Sequence, residues 1–199
     1  ILRDATATRH ADSIVNVDHS SPVVLHWQLG SFERVNGTDY LRADVGSEQS
    51  YEQGAYEKEA SAIRNYLFVN ATDKTSHWLI DSDEQLILRV IDLPEGDDNN
   101  QPPVKWTCYE LVKSDSNHDG RLSGSDSRTL AASDAAGLGY KELIDGIDKT
   151  LGYTMRDDDM LLYFYSSGSK NLVSEISLSS RQVTVTKELP ALHNTTPAN

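Results

Sequence analysis

Oxygen-bearing residues recur at fixed spacing in the segment 115–126, and this segment carries the strongest chemical signal in the chain. Asp115, Asn117 and Asp119 place side-chain oxygens at its first, third and fifth positions, and Gly120 follows at the sixth. Calcium takes about six to eight hard oxygen ligands, and a glycine at the sixth position permits the sharp turn that such a loop needs. The spacing therefore predicts a calcium-binding loop.

The second half of the same segment completes the ligand pattern of an EF-hand loop, with one departure. Arg121 offers its main-chain carbonyl at position seven, and Ser123 offers a hydroxyl or a bridging water at position nine. Position twelve is Asp126, where EF-hand loops carry a longer, bidentate Glu, so this carboxylate must approach the ion more closely. The Asp-ended loop resembles those of dockerins and of bacterial proteins outside the EF-hand family proper, in which the ion fixes a loop without opening a helix pair.

The alternative to a metal site is a polar turn, because Asp, Asn, Ser and Gly all favour turns. Three carboxylates on one short loop, Asp115, Asp119 and Asp126, would repel one another without a cation, which favours the metal. Millimolar calcium outside the cell fills even a weak site. We therefore expect a structural Ca²⁺ ion in a periplasmic or secreted bacterial protein, whose full-length precursor could carry a lipid anchor.

Composition excludes several classes of function. Lys and Arg number 18 against 31 Asp and Glu, and the net charge of −13 would repel a phosphate backbone, so no nucleic-acid partner is expected. No stretch reaches the roughly 20 apolar residues of a membrane span. Cys108 is the lone cysteine, so no intrachain disulfide can form, and its apolar neighbours predict a buried small side chain without chemistry.

Enzyme signatures are absent from the sequence. The six histidines are scattered, and no zinc, nucleophile-elbow, phosphate-loop or dinucleotide motif occurs. The carboxylate groups at Asp81 with Asp83 and at 157–159 lie in turns, where solvated acids are common. The favoured hypothesis is a non-catalytic binding or scaffold protein for another protein or a glycan; the alternative is a hydrolase whose active-site residues are dispersed in sequence. Trp27, Trp78 and Trp106 lie in strand-like runs and are expected in the core.

Short strands with period-two alternation dominate the chain and predict an all-β fold. The clearest series places strands at 150–156, 160–166, 171–177 and 182–187, joined by short turns into an antiparallel meander. Asn36-Gly37 predicts a type I′ hairpin turn, and the polar segment 46–58 reads as a long loop or at most one helical turn.

An internal repeat supports the same reading over roughly residues 64–189. LIDSDE at 79–84 returns as LIDGID at 143–148, and Arg64 and Arg128 precede the two copies at equal distance. RTLAA at 128–132 with YKELI at 140–144 resembles the strand pattern of TolB-type β-propeller repeats, which implies blade-like four-stranded sheets.

We therefore predict one all-β domain, 1–199, with about three blade-like antiparallel meanders near 23–80, 85–145 and 149–189; the alternative is a β-sandwich. A closed propeller has at least four blades, so three would form a partial propeller, and a homodimer is one way to complete a ring.

Overall fold

The computed structural model describes residues 15–16, 25–53, 56–96 and 101–190, with side chains for 27–47, 62–96 and 101–190. These residues form no helix, and hence none that could cross a membrane. In chain order the described strands are β1 (Val15–Asn16), β2 (Leu25–Leu29), β3 (Glu33–Arg34), β4 (Tyr40–Gln53), β5 (Tyr56–Asn70), β6 (Ser76–Trp78), β7 (Leu86–Leu93), β8 (Trp106–Val112), β9 (Arg121–Leu122), β10 (Arg128–Asp134), β11 (Lys141–Ile147), β12 (Lys149–Met155), β13 (Met160–Ser167), β14 (Lys170–Ser177) and β15 (Gln182–Glu188).

Three antiparallel sheets contain nearly all of these strands. The first has the path β2-β4-β5-β6 with β3 added to β4, the second has β7-β8-β10-β11, and the third has β12-β13-β14-β15. A separate short ladder pairs β1 with β9. The all-β prediction of about three blade-like meanders is confirmed, and the two-sheet sandwich is not observed. The single-domain assignment of 1–199 stays a prediction.

The third sheet follows the predicted strands to within one residue at every end. Its inner face is set by alternation on β13, where Leu161, Tyr163 and Tyr165 are buried and the residues between them are half-buried. Period-two burial is what a strand shows when one face meets a core. The inward side chains form an apolar cluster with Ile91 and Leu130 of the second sheet.

The second sheet is the middle layer, because both of its faces are covered. On β8, Cys108 packs towards the third sheet, whereas Tyr109 and Leu111 pack towards Tyr66 and Phe68 of the first. Cys108 is fully buried as expected, and this burial raises the pKa of its thiol to about 12.

The first sheet corrects two local predictions. The segment 46–58 is not a loop: β4 and β5 pair from Tyr40 with Asn70 out to Gln53 with Tyr56. Backbone pairing continues from the apolar part of the hairpin into a polar sequence whose composition alone does not favour strand. The hairpin at 35–40 is present, with the Thr38 amide donating to the Val35 carbonyl at 3.1 Å. Its turn is not type I′, since Gly37 has a positive φ of 78° and Asn36 does not.

The repeat has a structural basis. Arg128 is the first residue of the third strand of the second sheet, and Arg64 lies in the third long strand of the first sheet. The two copies of the LID triplet are both close to the fourth strand of their sheet. The first copy, 79–81, directly follows β6, and the second copy, 143–145, lies within β11. The sequence offset therefore marks equivalent strands of successive sheets.

Candidate calcium loop and its surroundings

The first half of the predicted loop holds its oxygen side chains over one short stretch of backbone. Asp115 accepts hydrogen bonds from the amides of Asp119 (3.1 Å) and Gly120 (2.8 Å). Asn117 Oδ1 accepts from the Asp119 amide at 2.9 Å, and Asp119 Oδ1 accepts from the Arg121 amide at 2.9 Å. Gly120 has a positive φ of 81°, as the tight turn requires. The structure thus brings Asp115, Asn117 and Asp119 together.

Asp126 is placed differently from the other predicted ligands. Asp126 is only 1% exposed. Its Oδ1 accepts hydrogen bonds from the amides of Ser116 (2.8 Å) and Asn117 (3.3 Å) and from the Ser116 hydroxyl (3.2 Å). Oδ2 accepts from the Ser123 amide at 2.9 Å. The carboxylate therefore ties the start of the loop to its ninth position. The EF-hand pattern did not predict this role, because most of the donors are main-chain amides, which residues of any type supply.

The middle of the loop is anchored to the apolar core. Leu122, at the eighth position, is 3% exposed and packs with Ala62, Leu86 and Val112. It also pairs with Val15, so the short ladder attaches an N-terminal strand to the loop. Ser123 Oγ accepts a hydrogen bond from the Ser125 amide at 3.1 Å.

The predicted ligands are of the atom type that a hard cation prefers, but Asp126 does not lie with the others. Asp115, Asn117, Asp119, Ser123 and the Arg121 carbonyl offer oxygen only, which is the chemistry that calcium prefers. Among the described side chains, however, no three or more His, Cys, Asp or Glu gather in a metal-binding group, so Asp126 does not join Asp115 and Asp119. For Asp126 to coordinate an ion, it must exchange backbone hydrogen bonds for the metal.

Arg128 connects the end of the loop to a buried acid. Its Nη2 donates to the Gly124 carbonyl at 2.9 Å, and its Nη1 lies 3.5 Å from Oε2 of Glu110. The Glu110 side chain is 3% exposed and sits between the second and third sheets. Buried charges are stable only when paired, so this contact matters to the interface.

Glu110 is also bonded to the third sheet. Tyr163 on β13 donates its hydroxyl to Glu110 Oε1 at 3.1 Å, and the same hydroxyl lies 2.7 Å from Thr150 Oγ1 on β12. Arg89 approaches Glu110 at 3.8 Å and donates to the Tyr153 hydroxyl at 3.2 Å. Burial, and then the charge of Glu110, raise the pKa of Tyr163 above its usual range. One polar network therefore reaches from the loop to β12 and β13.

The tryptophans contradict the expectation of three core residues. Trp27 and Trp78 are 49% and 50% exposed, whereas Trp106 is half-buried against the cluster between the second and third sheets. Trp78 pairs with Leu67, and Leu67 with Ala43, so these residues lie on the face of the first sheet that points away from the second. Alternation of apolar residues located the strands but did not distinguish a covered face from an open one.

The two acidic turns set aside as solvated acids have structural partners. In the 157–159 turn, Asp157 Oδ1 accepts from the amides of Asp159 (3.0 Å) and Met160 (2.9 Å), and Asp159 accepts from the Ser179 amide at 2.7 Å. These backbone bonds lower the pKa of both carboxyls. Asp83 accepts from the Asn65 amide group at 2.8 Å.

Comparison with known proteins adds a general likeness. No family model and no curated protein matches the chain. Among solved structures it is similar to the β-propeller domain of the Trilobed protease from Pyrococcus furiosus, at 12% identity and a TM-score of 0.39 over 82% of this chain and 43% of that one. It is also similar to a luciferin-regenerating enzyme, at 8% identity and a TM-score of 0.40 over 90% and 64%. The chain thus spans less than two thirds of the length of either protein. Because both TM-scores are low, the fold assignment rests on the observed sheet topology.

Proposed function

We propose that this chain is a non-catalytic extracytoplasmic binding or scaffold protein, of the TolB-like propeller type that its repeat resembles, stabilised by one structural calcium ion in the 115–126 loop. The observation that carries the proposal is the gathering of Asp115, Asn117 and Asp119 around the turn at Gly120. A tight turn that gathers oxygen-bearing side chains supports the proposal, because calcium prefers several oxygen ligands from one short loop.

The position of the loop favours a structural ion over a sensor. Leu122 is buried in the core and Arg128 reaches a buried acid, so an ordered loop supports both the ladder to β1 and the middle sheet. An ion present at about a hundred times its dissociation constant stabilises the native state by about 2.7 kcal/mol. Millimolar extracellular calcium would supply this stabilisation, which supports the periplasmic or secreted location.

The hydrolase alternative gains no support from the buried acids. Asp126 is saturated by backbone donors, and Glu110 by Tyr163 and two arginines. Neither carboxylate is poised to transfer a proton to a substrate.

The binding role is supported by the open face of the first sheet. Trp27, Leu29 and Trp78 are about half-exposed there, whereas Ala43, Val45 and Ser47 on the same face are buried beside them. In a chain of net charge −13, exposed aromatic and aliphatic side chains grouped on one face are typical of an interaction surface.

A second copy of the chain is the partner that the sheet arrangement favours for this face. The middle sheet is covered on both sides by sheets, and the outer face of the third sheet carries half-buried Leu162, Phe164 and Val173 outside the apolar clusters of the described residues. Sedimentation of the wild type and of Trp78→Ser tests this: a dimer lost in the variant supports it, and a wild-type monomer overturns the second copy in favour of another protein or a glycan.

Calcium titration calorimetry on chelator-stripped protein, with thermal melting in parallel, tests the metal. We expect saturable binding near one ion per chain and a raised melting temperature, both lost in Asp119→Ala. Asp157→Ala is the matched control, because Asp157 lies in a different turn and, like Asp119, accepts a hydrogen bond from the amide two residues further on. Absence of heat in the wild type, or equal losses in both variants, would reduce the loop to a polar turn.

A further inference from the structure

The loop and the interface between the second and third sheets share one charged residue. Arg128 is the first residue of β10 and bonds in two directions, to the Gly124 carbonyl at the tenth loop position and to the carboxylate of Glu110. Gly124 lies between the ninth and twelfth positions, Ser123 and Asp126. Any rearrangement that brings Asp126 to a cation therefore also moves the carbonyl that holds this guanidinium.

Glu110 passes that constraint to the third sheet. It is nearly fully buried, so its charge depends on the donors around it, which are Arg128, Arg89 and the Tyr163 hydroxyl. Tyr163 is itself fully buried on β13 and bonded to Thr150 on β12. A shift of the guanidinium changes how well the carboxylate is paired, and this changes how firmly β12 and β13 are held.

We propose that Arg128 couples the metal state of the 115–126 loop to the packing of the third sheet on the second, through Glu110 and Tyr163. The inference rests on the proposed calcium site and adds a regulated element to it. Coupling between two sites is reciprocal, so a change at Tyr163 must alter calcium affinity as much as calcium alters the order of the third sheet.

Two buried tyrosines on the same face of β13 make this testable. Tyr163→Phe removes a hydroxyl that reaches Glu110, whereas Tyr165→Phe removes one that lies 3.3 Å from Ser174 within the third sheet. The hydrogen bonds of both hydroxyls, among the described residues, go to partners outside the 115–126 loop. Measured by calorimetry with calcium chloride, Tyr163→Phe is expected to weaken calcium binding about fivefold, and Tyr165→Phe to leave it at the wild-type value.

A double-mutant cycle with Arg128→Met locates the path. If the coupling runs through Arg128, Tyr163→Phe has no further effect on calcium affinity in the Arg128→Met background. Hydrogen exchange supplies a second readout: calcium should slow amide exchange in β12 about fivefold in the wild type and not in Arg128→Met. Arg156→Met is the matched control, because Arg156 pairs with Glu175 inside the third sheet.

The outcomes separate this inference from the calcium proposal. No calcium binding by the wild type overturns both. Normal binding by the wild type with unchanged affinity in Tyr163→Phe, or with equal weakening in both tyrosine variants, overturns the coupling alone. Persistence of the Tyr163→Phe effect in Arg128→Met also overturns it, because the path would then bypass the arginine.

Discussion

The loop at 115–126 and the turn at 157–159 are both rich in aspartate, and both use carboxylates to accept backbone amides, yet they are built into the molecule differently. In the turn, Asp157 is exposed and Asp159 half-buried, and they accept hydrogen bonds from the turn itself, from the adjacent ends of β13 and β14, and from Ser179. In the loop, Asp126 is buried and Leu122 packs into the core.

This difference shows that acidic composition alone does not define a site. Solvated aspartates at a turn satisfy local amides and leave the sheets unaffected. A carboxylate buried beneath a loop instead fixes the loop to the fold, and its loss exposes the amides it served. We therefore expect the two acidic segments to differ in their contribution to the free energy of unfolding as well as in their contacts with the rest of the fold.

The largest expected effect is on stability without calcium, from Asp126→Ala. Removing its buried carboxylate leaves the amides of Ser116 and Ser123 without their acceptor, which should lower the free energy of unfolding by about 1–3 kcal/mol. Asp157→Ala should cause a much smaller loss, since solvent replaces its bonds. Urea unfolding in chelator measures both, and losses of similar size would show that Asp126 is no more structural than a turn residue.

A smaller effect is expected from glycines with a positive φ in two turns. Gly120 has a φ of 81° in the loop and Gly168 a φ of 57° between β13 and β14. An alanine at either position should cost about 1–2 kcal/mol, because its Cβ disfavours left-handed backbone. Only Gly120→Ala should also weaken calcium binding.

Calorimetry measures the calcium affinity of the two glycine variants, and thermal melting measures their stability. If Gly120→Ala bound calcium as tightly as Gly168→Ala does, the turn at position six would have no part in holding an ion.

The third sheet was predictable because its signals agree with one another. On β13 and β14, apolar alternation, short turns and strand length all indicate the same antiparallel meander, so every end fell within one residue. The first sheet was not predictable in the same way. The polar ends of β4 and β5 are strands because they pair with each other, and such pairing is not visible in local composition.

The site was predictable only in part for a related reason. Spacing alone indicates that Asp115, Asn117 and Asp119 lie close together, because their hydrogen bonds join residues two to five apart. The buried contacts of Glu110 join residues 18 and 53 apart in the chain, to Arg128 and Tyr163, and no local pattern reports such a distance.

The smallest expected effect concerns acid pH in the 157–159 turn. Backbone hydrogen bonds from Ser179 lower the folded pKa of Asp159 below its unfolded value. Its contribution to stability is therefore fully present above about pH 4 and is lost as the pH falls through the lower folded value. Asp159→Asn should flatten the fall in melting temperature between about pH 4 and pH 2, by an amount near the 0.5 kcal/mol typical of surface changes. Asp158→Asn is the control, since that carboxylate is almost fully exposed and pairs with Lys105. Identical acid melting profiles for the two variants would mean that the Asp159 carboxylate contributes no more to stability than the exposed Asp158 carboxylate.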